Sequence, residues 1–393
     1  MMEFCPKRST FLPYALPSID EQEEQDVLEV LRSGWLTTGP KVKQFEAEFA
    51  AYTGAAHAVA VNSCTAAMHL VLAAWGVGQG DEVITTPLTF CATIEAIEYV
   101  GATPVLVDID PTTANIDPNR IEDALTPRTR TILPVHYGGL PCEMDAIMDI
   151  ASRHHLLVLE DAAHAAGAEY KGRKIGSIGH ATAFSFYATK NLTTGEGGMI
   201  TTDDPEFADR CRTLSLHGIS RDAWKRYMAA GTWYYEVQTL GFKYNMPDVL
   251  AAIGICQLRK LDAMNARRQQ IAAQYHHAFH EMDFLTPFPP KLPTDRTHVW
   301  HLYTILLNLD ALRIDRAQFI EELKARNIGT SVHFIPIHYH PHYRRYGWRR
   351  GDFPNAEFYY ERTISLPLYP SMSDKDVADV IEAVHDVGRV WRR

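Results

Sequence analysis

Cysteine is scarce and scattered in this chain: six in 393 residues, at positions 5, 64, 91, 142, 211 and 256, with no Cys-x-x-Cys pair. That spacing excludes a zinc framework of paired cysteines and a dense disulfide scaffold. Long apolar runs are missing too, and none approaches the ~20 residues that span a membrane. Near the N-terminus, Phe11-Leu-Pro-Tyr-Ala-Leu-Pro17 is broken by proline where a signal peptide needs an unbroken apolar core. The expectation is a cytoplasmic protein with no membrane partner. Positive charge is in deficit, with 38 Lys+Arg against 48 Asp+Glu and a net charge of -10. A nucleic-acid-binding surface normally needs a basic face, so nucleic acid is excluded as a partner, whereas an anionic small molecule in a local basic pocket is not. Internal repeats and low-complexity segments are absent, which removes solenoids and fibrous classes. What remains is a globular chain, 46% hydrophobic and 22% charged. It is too long for one ordinary core, so two domains are expected.

What is there is an alternation. Residues 20–53 read as charged helix with a break at 33–40. Short apolar strands are then expected at 58–61, 81–85, 103–108, 131–136 and 156–161. Helices are expected between them at 65–75, 93–99, 119–125 and 144–154. Strands of that composition are buried on both faces of a parallel sheet. Two closely spaced strands follow at 183–186 and 199–202, then a helix at 203–215 and a polar, aromatic stretch at 221–241 without a clear assignment. Pro247 suits the first position of a helix that runs to about residue 282. A proline-rich loop at 286–293 precedes a strand (298–307), a helix (316–326), a strand (330–337), a loop and a last helix (375–387). The fold class is therefore α/β, a large domain at 1–255 and a smaller α+β domain at 256–393 that opens with the long helix.

The stretch from Ala183 to Gly198 organises the chemistry. Phe184 and Phe186 alternate with Ser185 and Tyr187 as in a strand. Lys190 follows where the strand stops, and Gly195, Gly197 and Gly198 allow a tight turn. A lysine at the mouth of an apolar strand costs desolvation energy, and burial lowers its pKa toward that of a nucleophilic amine. Ligands of open parallel sheets sit beyond the carboxyl ends of the strands. Two further groups fall at such ends. Ser63 and Thr65 can cap a helix whose first free N–H groups make an anion site. Asp161 ends an apolar strand, where a carboxylate is expensive unless a cation compensates it. His164 lies three residues on, and Phe90 could offer an aromatic face. Each has an ordinary reading as well: a snorkelling lysine, a cap without a ligand, an N-cap aspartate, a structural histidine, a core phenylalanine. Together, an anion site, a carboxylate and an amine are what an aldehyde cofactor with a phosphate and a basic ring nitrogen requires, and pyridoxal phosphate is the one expected, bound to Lys190 as a Schiff base.

Several motifs in order resemble one family. They are Thr37-Thr-Gly-Pro, Asn62-Ser-Cys-Thr-Ala-Ala-Met-His-Leu, Gly80-Asp-Glu-Val-Ile, Glu160-Asp-Ala-Ala-His-Ala-Ala-Gly-Ala, Phe184-Ser-Phe, Lys190-Asn, Gly195-Glu-Gly-Gly and Ser365-Leu-Pro-Leu-Tyr-Pro. The chain looks like the DegT/DnrJ/EryC1/StrS family of sugar-nucleotide aminotransferases from about Leu36 to the last helix. The resemblance implies a fold type I pyridoxal-phosphate enzyme, cycling through pyridoxamine phosphate, that works as a homodimer with shared active sites in amino-sugar synthesis for lipopolysaccharide or polysaccharide. It implies Lys190 as the lysine bonded to the cofactor, Asp161 on the pyridine nitrogen, Phe90 stacked on the ring and His164 over or beside it. Ser63, Cys64, Thr65 and Ser185 would hold the phosphate, with Asn245 reaching the partner subunit's phosphate. The wording around Lys243-Tyr-Asn245, Val135-His-Tyr-Gly-Gly and Asp161-Ala-Ala-His is most similar to the UDP-4-amino-4-deoxyarabinose aminotransferase branch. Glutamate is the expected donor, and a nucleotide-linked 4-keto sugar, UDP-linked, the expected acceptor. A 3-keto sugar, or one linked to dTDP or GDP, is the nearest alternative, and a cofactor-binding regulator without catalysis is the alternative of another class. Candidate substrate contacts are His333, His338 and, across the interface, Lys243.

Two other motifs mislead. Gly76-Val-Gly-Gln-Gly80 resembles a dinucleotide fingerprint but lies after a helix and before a strand, the reverse of the required order. The run from His333 to His342 suggests a metal, yet Pro336 and Pro341 make it irregular and no cysteine or carboxylate lies within it, so no metal is expected.

Overall fold

The computed structural model describes residues 8–219 and 234–393. Helices α1 (Glu21–Ser33) and α2 (Pro40–Thr53) come first. Asp20 caps α1 with Glu23 reaching back to its backbone, which is the reciprocal bonding of a capping box. The alternation follows as β1 (His57–Val61), α3 (Cys64–Ala74), β2 (Glu82–Thr85), α4 (Cys91–Tyr99), β3 (Thr103–Leu106), β4 (Thr129–Ile132), α5 (Met144–His154) and β5 (Leu157–Asp161). After them come β6 (Glu169–Tyr170), β7 (Arg173–Lys174), β8 (Ala181–Ser185), β9 (Gly198–Thr202) and α6 (Pro205–Ser215). Seven of these strands form one sheet in the order β1-β9-β8-β5-β4-β2-β3. All neighbours run parallel except β9, which is antiparallel to β1 and β8. The carboxyl ends of β1, β2, β5 and β8 therefore meet along one edge, and β9 begins at that edge.

Strand parity decides which side chains reach that edge. Phe184 of β8 and Phe186 just beyond its end point to one face and pack on Phe45 and Phe49 of α2, with ring centroids 5.0 to 5.5 Å apart. Fully burying such a ring contributes about 1.5–3 kcal/mol. Ala183 lies on the opposite face, toward α3, and Ser185 beside it ends the strand at the edge. On β5 the parity separates Glu160 from Asp161. Glu160 accepts from Thr182 Oγ1 and Gly179 N–H, both at 2.8 Å, and meets His136 Nε2 at 2.8 Å under the sheet. Asp161 faces the other way.

Helix α7 (Asp248–Phe279) then runs unbroken across residues 255 and 256. Its Ala251, Ile255, Leu258, Leu261 and Met264 belong to the core between α2 and the sheet, and Ile271, Ala272, Tyr275 and Phe279 to the core of the C-terminal part. That part holds β10 (Leu285–Phe288), β11 (Arg296–Thr297), β12 (Tyr303–Leu307), α8 (Arg316–Ala325), α9 (Pro354–Arg362), β13 (Thr363–Leu366) and α10 (Asp374–Trp391). Strands β10, β12 and β13 form an antiparallel sheet with β12 central, and β11 joins β6 and β7 in a ribbon.

Four expectations need correction. Residues 119–125 form two short 3-10 turns, Pro118–Arg120 and Glu122–Ala124, not one helix. The proline-rich loop at 286–293 begins inside β10, where Pro287 is tolerated because the strand is an edge. Residues 298–302 do not extend β12. The backbone of residues 330–337 pairs with β13 only at Ser331 and Ser365, after which His333 and Phe334 turn to the sheet edge, His333 keeping a side-chain contact with Ser365. The aromatic stretch at 221–241 lies mostly outside the described residues.

Candidate active site

At the sheet edge Ser63, Cys64 and Thr65 turn from β1 into α3. Ser63 is the N-cap, its hydroxyl accepting from Ala66 N–H at 3.0 Å, and its carbonyl accepts from Ala67 N–H at 3.0 Å. The N–H groups of Cys64 and Thr65 are left for an anion, with the positive end of an 11-residue helix behind them. Gly198 backs this turn closely. A Cβ there would lie 2.5 Å from the Ser63 carbonyl carbon and 2.7 Å from the Cys64 nitrogen. Only glycine lets β9 approach, which explains the Gly197-Gly198 pair.

Asp161 is buried at the carboxyl end of β5. Thr93 Oγ1 donates to Oδ2 at 2.8 Å and Ala163 N–H to Oδ1 at 3.1 Å. Burial pushes its carboxyl above the usual range, although those two bonds and Lys190 pull the other way. A desolvated carboxylate held in one orientation has the character expected of a partner for a ring N–H⁺.

Lys190 lies in the turn after β8, its N–H donating to the Tyr187 carbonyl at 2.9 Å. Its side chain is half-buried in the wall of an open cavity. Desolvation lowers its amine to about 8, against the opposing pull of Asp161 and Cys64. The cavity has a volume of about 540 Å³ and brings together Ser63, Cys64, Thr65, Phe90, Asp161, His164, Ser185, Lys190 and His333. Phe90 stands at its mouth, 60% exposed, 6.0 Å from the Phe334 ring. A phosphate-sized anion turn, a desolvated carboxylate, a desolvated amine and an exposed aromatic around one cavity fit pyridoxal phosphate.

The far wall is histidine-rich. His164 Nδ1 accepts from Gly138 N–H at 3.2 Å, and its ring lies 4.3 Å from His301 and 5.8 Å from Phe334. His333 Nδ1 meets Ser365 Oγ at 2.8 Å. Burial drives the imidazoles of His164 and His301 well below their ordinary value, and those of His298 and His333 down to about 3. These four stay neutral in the fold, while in the unfolded chain they take up protons below pH ~6.5. The unfolded state then binds more protons, so stability falls with falling pH, by at most about 1.4 kcal/mol per pH unit for each histidine. The raised carboxyls of Asp161 and Glu46 act in the opposite direction, whereas His69, His180, His338 and His385, also lowered by burial, add to the four. Thermal midpoints of the cofactor-free protein are expected to drop steeply from pH 6.5 to 5, and less so in His298→Gln. A midpoint unmoved over that range would contradict the neutral histidines.

Three expected residues do not line the cavity. His338 is buried elsewhere, Nε2 2.9 Å from Glu357 Oε1 and its ring on Phe353, so its place as a substrate contact is corrected. Lys243 and Asn245 follow the end of β1, where Asn62 N–H donates to the Tyr244 carbonyl at 2.8 Å. Lys243 is exposed, and Asn245 donates to Thr38 Oγ1 at 2.7 Å. The histidine run disperses, His342 meeting Glu98 at 3.0 Å while His333 and His338 part. Among the described residues no three His, Cys, Asp or Glu side chains are grouped to hold a metal, and no helix is long and apolar enough to cross a membrane. Sequence reasoning missed Thr93, His301 and Phe334. Thr89 and Thr93, four apart and 2.7 Å between hydroxyls, carried a usable signal for the first. His301 carried none, because its segment read as strand.

The chain is similar to known proteins over nearly its whole length. The sequence profile of the DegT/DnrJ/EryC1/StrS aminotransferase family matches residues 17–385. The chain is 59% identical over 384 residues to the spore coat polysaccharide biosynthesis protein SpsC of Bacillus subtilis, covering 97% of this chain and 98% of that one. The putative sugar aminotransferase Spr1654 of Streptococcus pneumoniae superposes in its PMP form with a TM-score of 0.91 at 34% identity, over 96% of this chain and 99% of that one. Its PLP form gives 0.90. PseC of Helicobacter pylori, an aminotransferase involved in pseudoaminic acid biosynthesis, superposes with 0.90 at 30% identity, over 97% and 100% of the two chains.

Proposed function

This chain belongs to the DegT/DnrJ/EryC1/StrS aminotransferase family and is a pyridoxal-phosphate-dependent sugar aminotransferase, and we propose that it moves an amino group from glutamate to C4 of a UDP-linked keto sugar, in the cytoplasm, as a homodimer with shared sites. The observation that carries the chemistry is the Lys190 amine, lowered to about 8 and facing the cavity that Asp161 also lines. Lys190 would be the residue that bonds the cofactor, and its free amine, lowered by desolvation, would take and return the proton at the substrate carbon. The bound cofactor supplies an electron sink for the negative charge that develops at that carbon. Asp161 keeps the ring nitrogen protonated, which is what makes the ring a sink. Ser63, Cys64, Thr65 and Ser185 would hold the phosphate, and Phe90 and His164 would flank the ring. Asn245 and Lys243 reach the neighbouring subunit's site, and their place outside their own cavity suits that role. His333 contacts substrate. The UDP and C4 preferences rest on the motif wording around Lys243, Val135 and Asp161, and the 59% likeness to a polysaccharide biosynthesis protein supports the sugar class.

The test is a panel of UDP-, GDP- and dTDP-linked keto sugars, ketone at C3 or C4, assayed with glutamate for 2-oxoglutarate release. The UDP-linked 4-keto sugar is expected to give the highest kcat/KM. A higher value for another nucleotide or ring position moves the assignment to it. A cofactor-loaded protein that glutamate bleaches but that aminates no keto sugar refutes the acceptor class.

A further inference from the structure

His301 is a wall residue for which the proposed reaction has no task. It is 5% exposed, lines the cavity, and sits on the irregular segment before β12. Its Nδ1 lies 3.1 Å from Asn191 Oδ1. The Asn191 amide has one orientation only, because its nitrogen donates to the Val299 carbonyl at 2.9 Å and to Asn265 Oδ1 at 2.8 Å. The amide oxygen thus faces His301, and Nδ1 is the ring nitrogen that bears the proton. Nε2 keeps a lone pair, and among the described residues it has no hydrogen-bond partner.

His164, 4.3 Å away, has the opposite tautomer. Its Nδ1 accepts from Gly138 N–H, so its proton is on Nε2. The pairing is built into the backbone. Val299 N–H and Leu302 N–H donate to the carbonyls of Gly139 and Gly138, both at 3.1 Å. Gly139, at φ +98°, is wedged between the two segments, where a Cβ would lie 2.9 Å from the His164 carbonyl and 3.2 Å from His301 N. The two imidazoles are held at close range with fixed and complementary protons.

An N–H beside a lone pair complements a group that accepts and donates at once. A hydroxyl does both. Carboxylates and phosphates only accept, so the amino donor's carboxylates and the nucleotide's diphosphate suit His164 but are repelled by the His301 lone pair. We infer that His301 determines acceptor specificity: its Nε2 accepts a hydrogen bond from a hydroxyl of the keto sugar next to the reacting carbon. Burial keeps both rings uncharged, which preserves the lone pair at neutral pH. The inference rests on the sugar-aminotransferase reading above and adds the group on the sugar that is recognised.

The experiment separates the two half-reactions on cofactor-loaded protein. Bleaching by glutamate alone follows the first. Reaction of the pyridoxamine form with a keto sugar, and with its deoxy analogue lacking the hydroxyl next to the ketone, follows the second. His301→Phe keeps a buried ring but removes the lone pair, and His301→Gln restores an acceptor. His301→Phe is expected to lower kcat/KM for the hydroxylated sugar by about 10–100-fold, chiefly through KM. The drop on the sugar should exceed the drop on glutamate by about 10-fold or more, and the preference over the deoxy analogue should vanish. His301→Gln should recover part of that preference. Equal losses on both sugars, an equal loss on glutamate, or no loss at all would overturn the inference. A wild-type protein that glutamate bleaches but that accepts no sugar would instead refute the acceptor class, and the inference with it.

Discussion

Replacing Lys190 with alanine is expected to abolish the visible band of the cofactor-loaded protein and to lower transamination by about 10⁴-fold or more, the scale on which removing a covalent catalytic residue acts. Desolvation of an ammonium in the cavity wall favours the neutral amine, while Asp161 and Cys64 favour the charged one, and desolvation wins, leaving the amine at about 8. At pH 7 about a tenth of such amines are neutral and nucleophilic, against under a thousandth at the ordinary value near 10.4. Alanine removes nucleophile and proton carrier together, so no second group in the cavity replaces it; His164 and His333 are neutral imidazoles whose low proton affinity makes them poor bases. The fold should survive, because the deleted group is a desolvated cation without, among the described residues, a hydrogen-bonded partner of its own. Absorbance, a glutamate half-reaction and a thermal midpoint decide it. A Lys190→Ala protein that keeps its band or its activity would remove the lysine from the mechanism.

Lys190, Asp161 and the Ser63–Thr65 turn were legible because each breaks a local rule at the end of an apolar strand, where burial makes a polar group costly. Helix α5 was legible to both ends, residues 144 to 154, because an amphipathic pattern needs only its own neighbours. The features that escaped depend on partners far along the chain. Segment 330–337 has strand composition, yet its backbone pairs with β13 at one residue pair, and His333 and Phe334 turn to line the cavity. Helix α9 and β13 read as loop in the sequence, although β13 completes the small sheet against β12. His338 looked equivalent to His333 in sequence, but Glu357, nineteen residues on, claims it. The tautomer of His301 rests on Asn191, 110 positions away, whose amide is in turn fixed by α7 and the Val299 carbonyl. No periodicity could register a contact of that span.

Asp161→Asn should lower kcat/KM by about 10³-fold while leaving the thermal midpoint unchanged or slightly raised. Asparagine keeps the shape: its oxygen can take the Oδ1 place that accepts from Ala163 N–H at 3.1 Å, and its NH2, in the Oδ2 place, can donate to Thr93 Oγ1, whose own proton then turns to Thr89 Oγ1, 2.7 Å away. What disappears is a negative charge that burial already disfavours, which is why folding has nothing to lose. Catalysis loses the charge that holds a proton on the ring nitrogen and with it the electron sink. A second consequence has a definite sign. Asp161 raises the Lys190 amine toward about 8 against desolvation, so neutralising it must lower that amine further. The pH profile of glutamate bleaching should therefore shift to lower pH in Asp161→Asn, at the same time as its plateau falls. A lower plateau without the shift would mean that the two groups do not feel each other across the cavity. A shift with full activity would leave Asp161 as an electrostatic neighbour of the lysine and take it off the cofactor's ring.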